Sequence, residues 1–397
     1  MNDSSFVNPQ TFTGQEEINM TSTKKDPVLV VLQLTGANDY LNTIIPYTNP
    51  LYRDNRPKIG IPEDQVLPID DELGFHPGMG LFKKLYDEGK VAIIHGIGYE
   101  NSPRSHFRSM DIWHTCEPDK VGTEGWAGRV IRDLDPKGEN VLKGVNIGQG
   151  LPRAMALRGV PVTSVSNLET YGVLNEVPTI SSEEERNEML GLFSRIYAPT
   201  VGTGPVMDYL GQIGLDALKG ADIIKTAPQK YSSTVEYADN PIAKNLKSVA
   251  QVYLADLGPQ VFYTQHGNYD SHFNQLPLHS RLWTELSIGL TNFFDDLKEH
   301  DAGDNLIMML FTEFGRRVRD NGTGTDHGAG GVAFVIGNQV KGGMYSAYPS
   351  LKAEDLQQGD LAPNYDFRGF YSTVVEKWLG LDPVPIVGRH FEQLDFI

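Results

Sequence analysis

Residues Leu306 to Phe311 are six apolar side chains in succession, and they run directly into Thr312-Glu313-Phe314-Gly315-Arg316. A strand with one wet face alternates apolar and polar residues. An unbroken short run is instead buried on both faces, as in a parallel sheet covered by helices. The abrupt change to charge at its end puts a carboxylate and a guanidinium at the carboxyl edge of that sheet, where open α/β sheets bind ligands. Gly324-Thr325-Asp326-His327-Gly328 follows in the same segment and adds an Asp-His pair to the edge.

Other segments repeat the pattern. Pro27 to Leu34 is a β-rich run followed by the loop Thr35-Gly36-Ala37-Asn38-Asp39, and Val91 to Ile94 is a second buried strand ending at His95. A less clear alternation covers Val141 to Ile147 and then Met155 to Val165. Gln260 to Gln265 and Val332 to Gly337 complete the expected strands. Helical spacing covers Gly80 to Glu88, a segment starting near Arg104-Ser105-His106, and Ser280 to Glu299. Another helix opens with a capping box, Ser182 with Glu185, and runs to about Tyr197. Strands alternating with helices predict an α/β/α sandwich on a mostly parallel central sheet. Residues 27–397 are expected to form one domain with a helical excursion over about 180–250, preceded by a flexible leader, 1–26.

Composition narrows the function. A formal net charge of −17 argues against sequence-independent nucleic-acid binding, which needs a basic surface. No stretch reaches the eighteen or more apolar residues of a membrane span. Cys116 is the only cysteine, so an intrachain disulfide and a thiolate zinc cluster are both excluded. The polar leader has no apolar core of a secretory signal, and a cytoplasmic location is expected for the chain as written.

Histidines gather at or shortly after predicted strand ends: His95, His272 and His327, with His106 one loop further on. Asp270 and His272 are two residues apart and fall on one side of an extended segment. Carboxylate and neutral imidazole together suit zinc, manganese, iron or another divalent cation. Asp326 and His327 point apart in extended backbone, but the flanking glycines let a loop converge them. Glu313 is read either as a ligand or as a salt-bridge partner of Arg316 or Arg317. Asp39 is either a further ligand or part of a tight turn. Arg104 and the helix N-terminus beside it are fitted to hold an anion. Ser105 is read as a nucleophile beside His106 or as the helix cap. His76 and His114 are expected to be structural.

With these segments in view, the chain resembles the DUF1501 family, within the alkaline phosphatase-like (sulfatase and phosphomutase) superfamily. The resemblance rests on Leu34 to Asn42, Phe75-His76-Pro77, Val91 to His95, Arg104-Ser105-His106-Phe107, Asn268 to His272, Thr312 to Arg316 and Thr325 to Gly328. It implies an α/β/α sandwich, one or two divalent metals (Zn, Mn, Ca or Fe) at the carboxyl edge, and a small anionic ester as substrate. It places Asp39, Asp270, His272, Glu313 and His327 at ligand positions, and the expected metal site is Asp270, His272, Glu313 and His327 with Asp39 or Asp326 assisting. Two departures stand out. Glu313-Phe314 occupies the place of an Asp-His pair in relatives, and Ser105 lies outside a Cys-x-Pro-x-Arg formylglycine motif. Relatives are often exported through a twin-arginine signal, which is not seen here.

The leading expectation is a metal-dependent hydrolase of phosphate or sulfate esters. Metal-activated water or Ser105 is the nucleophile, Arg104 and Arg316 hold nonbridging oxygens, and His106 handles the leaving-group proton. The alternatives are a non-catalytic anion- or metal-binding protein on the same scaffold, and a metal-dependent lyase or oxidoreductase.

Overall fold

The first strand, β1 (Val28–Leu34), lies fully buried in the middle of the molecule, and its side chains divide by parity. Val28, Val30, Leu32 and Leu34 join one apolar cluster, while Leu29 and Val31 join another. Alternate residues of a strand face opposite sides of its sheet, so both faces are covered. The first cluster contains the helices Gly80–Asp87, Pro241–Leu254 and Gln275–Glu299; the second contains His106–Thr115, Trp126–Leu134, Phe367–Thr373 and Val384–Val387. This is the expected α/β/α sandwich. The computed structural model describes residues 25–169 and 219–397, with positions 185, 188–189, 191–192 and 216 between them. The expected leader and most of the expected excursion, including the Ser182–Glu185 capping box, lie outside the described residues.

The remaining strands are β2 (Ile44–Ile45), β3 (Leu67–Pro68), β4 (Gly74–Phe75), β5 (Val91–Gly98), β6 (Gly144–Ile147), β7 (Thr163–Val165), β8 (Val261–His266), β9 (Leu306–Phe311), β10 (Gly331–Ile336), β11 (Gly343–Tyr345) and β12 (Tyr365–Asp366). Among the described residues the main sheet has nine strands, in the order β11-β5-β10-β9-β1-β8-β6-β7, with β12 beside β5. β1 pairs in parallel with β8 on one side and β9 on the other, with Leu34 opposite His266 and Gln33 opposite Phe311. The loops leaving these three adjacent strands therefore emerge together at one edge. They carry residues 35–39, 267–272 and 312–330.

Three local expectations are refined. β10 runs antiparallel to both β9 and β5, because the loop after β9 turns the chain straight back. An apolar run shows burial on two faces and is silent about direction. Within Met155 to Val165 only Thr163–Val165 is a strand, preceded by a single 3-10 turn at Arg153–Met155. The long helix begins at Gln275, ahead of the expected Ser280, and takes Pro277 into its first turn, where the missing N–H has no intrahelical partner to lose.

Trp113 locks one face of the sheet to the helix that begins with His106. Its indole is fully buried and stacks on Phe311 at 5.1 Å and on Phe367 at 4.4 Å between ring centroids. Trp113→Ala is expected to cost about 3–5 kcal/mol, from lost apolar burial plus the cavity left behind. The loss of unfolding free energy in urea denaturation, midpoint times slope, checks it.

Candidate metal centre

Two loops and one helix start supply the centre. His106 opens the helix that follows β5, Asp270 and His272 lie in the loop after β8, and His327 lies in the loop between β9 and β10. A two-residue backbone bridge between Arg316 and His327 folds that last loop back on itself, so His327 returns to the carboxyl edge. Gly36, at the end of β1, makes room for Asp270. Its φ is +103°, and a Cβ there would sit 2.6 Å from the Asp270 backbone nitrogen.

The ligand atoms of His106, Asp270 and His327 all lie within 4.8 Å of one another. His327 Nε2 is 3.0 Å from His106 Nε2 and 3.0 Å from His272 Nε2. Asp270 Oδ1 is 3.0 Å from His272 Nε2 and 3.2 Å from His327 Nε2, and Asp270 Oδ2 is 3.4 Å from His106 Nε2. His106, Asp270 and His327 therefore face one small volume, and His272 adjoins it through His327 and Asp270.

The opposite side of each ring explains why these nitrogens face inward. His106 Nδ1 donates to Glu313 Oε1 at 2.7 Å, His272 Nδ1 to Asp326 Oδ1 at 3.1 Å, and His327 Nδ1 to the Arg104 carbonyl at 2.9 Å. Carboxylates and carbonyls only accept, so each Nδ1 carries a hydrogen, and a ring in its neutral form presents an Nε2 lone pair inward. Lone pairs gathered at 3.0 Å repel one another unless a cation lies among them. A tetrahedral ion with bonds of about 2.0–2.1 Å keeps its donors roughly 3.3 Å apart, close to the spacing found. The donor set fits a divalent transition metal. Calcium, one of the expected ions, prefers an all-oxygen shell and fits poorly.

Several expected roles change. Glu313 is buried, with both oxygens engaged: Oε1 accepts from the Gly36 N–H at 3.0 Å as well as from His106, and Oε2 accepts from the Thr312 hydroxyl at 2.9 Å. It holds His106 from behind and does not join the inward-facing atoms. Asp326 stands behind His272 in the same way. Asp39, expected as an assisting ligand, is fully enclosed and held at both oxygens by Arg56, at 2.6 and 2.9 Å. Burial works against its ionisation, but the charge and hydrogen bonds of Arg56 outweigh this and its pKa is lowered.

The two arginines expected to grip a substrate are also occupied. Arg316 is buried and donates to Asp270 Oδ1 at 2.7 Å and, through Nε, to the Thr325 hydroxyl at 3.2 Å. Arg104 Nε donates to the buried Asp360 at 2.7 Å. Each arginine places a part of the centre: Arg316 the carboxylate of Asp270, Arg104 by its carbonyl the ring of His327. Ser105 is the exposed residue preceding the helix, and its hydroxyl caps no helix N–H. The side chain thus does not make the bond that the capping alternative required.

Hydrogen bonds also lead back from Asp270 into the interior. The Thr325 hydroxyl donates to Gln275 Oε1 at 2.7 Å, and Gln275 Nε2 donates to Asp39 Oδ2. Asp270, Arg316, Thr325, Gln275, Asp39 and Arg56 thus form one continuous chain. Sequence reasoning had singled out neither Gln275 nor Arg56. Their only signal is polarity at positions the fold buries.

Residues 221–392 match DUF1501, a family described as a protein of unknown function. The DUF1501 match holds Asp270, His272, Glu313, Arg316, Asp326 and His327, while Asp39, Arg104, Ser105 and His106 precede it. Among solved structures, a sulfatase from Pseudoalteromonas sp. is 12% identical over 94% of this chain and 71% of its own, with a TM-score of 0.42. A protein in the alkaline phosphatase superfamily from Vibrio parahaemolyticus is 11% identical over 92% and 69%, with a TM-score of 0.38. The C-terminal periplasmic domain of EcEptC from Escherichia coli, in complex with Zn, is 9% identical over 80% and 74%, with a TM-score of 0.36. No curated protein matches the chain. Among the described residues, no helix is long and apolar enough to cross a membrane.

Removing Arg56 leaves a buried, unpaired carboxylate at Asp39. Arg56→Ala is expected to lose about 3–5 kcal/mol of stability at neutral pH in chemical denaturation. Because the folded pKa of Asp39 is lowered, the contribution of its charge is complete above the ordinary aspartate pKa, about 3.9, and is lost as pH falls through the lower folded value. Measured against Asp39→Asn, the wild-type advantage should therefore persist through neutral pH and shrink only in strong acid.

Proposed function

We propose that this chain is a metal-dependent hydrolase of phosphate or sulfate esters. The observation that carries the reading is the convergence of His106, His272, His327 and Asp270 at the carboxyl edge, next to an open cleft that shares His106 and Asp270. The ester class follows from the resemblance to the alkaline phosphatase-like superfamily. His106, Asp270 and His327, with His272 beside them, would hold a divalent cation, which would supply Lewis-acid polarisation and activate the nucleophile.

The chain's own residues divide the remaining work. Glu313, Asp326 and the Arg104 carbonyl hold the three imidazoles in the ligating tautomer, and Arg316 keeps Asp270 ionised and aimed. The nucleophile is water or the exposed Ser105 hydroxyl, one residue before His106. The arginines once assigned to grip the substrate act as positioning groups, since both are committed to buried or centre-forming acids.

The same three-nitrogen, one-oxygen set also suits iron or manganese, which favours an oxidoreductase as the second reading. Its mark would be a redox-active ion whose oxidation state changes during turnover.

Purified protein should hydrolyse aryl phosphate or sulfate esters, lose that activity on chelation, and regain it when zinc or manganese is restored. A chelator-resistant hydrolysis, or an absence of turnover across a broad ester panel in metal-loaded protein, contradicts the reading. Ser105→Ala separates the nucleophiles: it abolishes turnover if the hydroxyl attacks and leaves it largely intact if water does. Glu313→Gln should weaken metal binding about 10–100-fold while the protein stays folded, since the residue orients a ligand without being one. Isothermal titration of the apo-protein checks it.

A further inference from the structure

A cleft of about 380 Å³ opens beside the metal centre, and two of its lining residues, His106 and Asp270, belong to the centre itself. Its volume lies in the lower part of the range for small-molecule sites, about 300–1,000 Å³, and suits one substituted ring. Phe107 and Met110 also line it. They are three residues apart on one helix and so share a face. Phe107 is 92% exposed, one residue after His106, so a flat apolar surface stands at the mouth of the centre.

Charge marks another wall. Asp111 and Arg153 line the same cleft, and Arg153 Nη1 lies 2.9 Å from Asp111 Oδ1. Arg108 Nη1 also donates to Asp111, at its other carboxylate oxygen. Two guanidiniums thus share the Asp111 carboxylate, and Arg153 also donates to the Gly122 carbonyl. The Arg153 side chain is 42% exposed and that of Asp111 only 9%, so the cation is the accessible member of the pair.

We propose that this cleft is the leaving-group subsite, and that it takes an ester with a flat apolar ring carrying a second anionic group. The reacting anion lies at the metal centre, the ring lies on Phe107 and Met110, and the second anion meets Arg153. The assignment rests on the hydrolase reading but concerns recognition, so it is tested by binding.

The probes are methylphosphonate, phenylphosphonate and 4-carboxyphenylphosphonate, titrated calorimetrically into metal-loaded protein. Phenylphosphonate should bind about tenfold tighter than methylphosphonate, from the apolar area it buries, and the added carboxylate should improve binding several-fold more. Phe107→Ala should erase the phenyl gain. Arg153→Gln should erase only the carboxylate gain, and Arg153→Lys should restore part of it, with metal content unchanged in all three variants. Equal affinities for the three phosphonates, no binding of any, or an Arg153→Gln loss shared equally by all three, overturns the proposal. A protein that shows the affinity ladder but hydrolyses no ester keeps the subsite and loses the hydrolase reading. One that hydrolyses esters with no ladder keeps the hydrolase and loses the subsite.

Discussion

Three imidazole nitrogens and a carboxylate meeting at about hydrogen-bond distance create an electrostatic problem, and the architecture of the carboxyl edge follows from it. Each ring is held at Nδ1 by an oxygen that can only accept, so none can turn its hydrogen inward to relieve the crowding. Proton gain is one relief: His106 has a raised pKa, chiefly through its hydrogen bond to Glu313. A divalent cation is the better one, because it satisfies all the lone pairs at once. The second layer of Glu313, Asp326 and the Arg104 carbonyl is therefore as much a part of the centre as the atoms that face inward.

Behind that layer, buried arginines do what a surrounding solvent would otherwise do. Arg316 fixes Asp270, Arg56 fixes Asp39, and Arg104 fixes Asp360. Gln275 and Thr325 connect the first two pairs. Asp39 and Asp270 are thereby held ionised, with lowered pKa values, and the Asp270 carboxylate does not have to be ordered at the moment of binding; at Asp360 burial outweighs Arg104 and raises the pKa. The same commitment means that substrate recognition must come from elsewhere, which directs attention to the accessible Arg153 and the exposed ring of Phe107.

Much of this was legible in the sequence because it depends on local pattern. The apolar run at Leu306–Phe311 announced a doubly covered strand, and the Asp270-x-His272 spacing announced two donors on one side of the chain. The Asp326-His327 pair behaved differently. Both residues serve the centre, but one faces it and the other stands behind His272, a division that only the folded loop decides. Glu313 and Asp39 were read as ligands because their type and position fit. Their actual partners, His106 and Arg56, are distant in sequence or carry no pattern, and nothing local reports a buried ion pair. The antiparallel direction of β10 was hidden for a related reason, since burial on two faces looks the same whichever way a strand runs.

X-ray absorption at the edge of the bound metal tests the central claim most directly. A low-coordinate shell is expected, with about three nitrogen donors, outer-shell scattering from imidazole rings, and one carboxylate oxygen. A shell of oxygen donors alone, or protein that takes up no divalent ion, would contradict it.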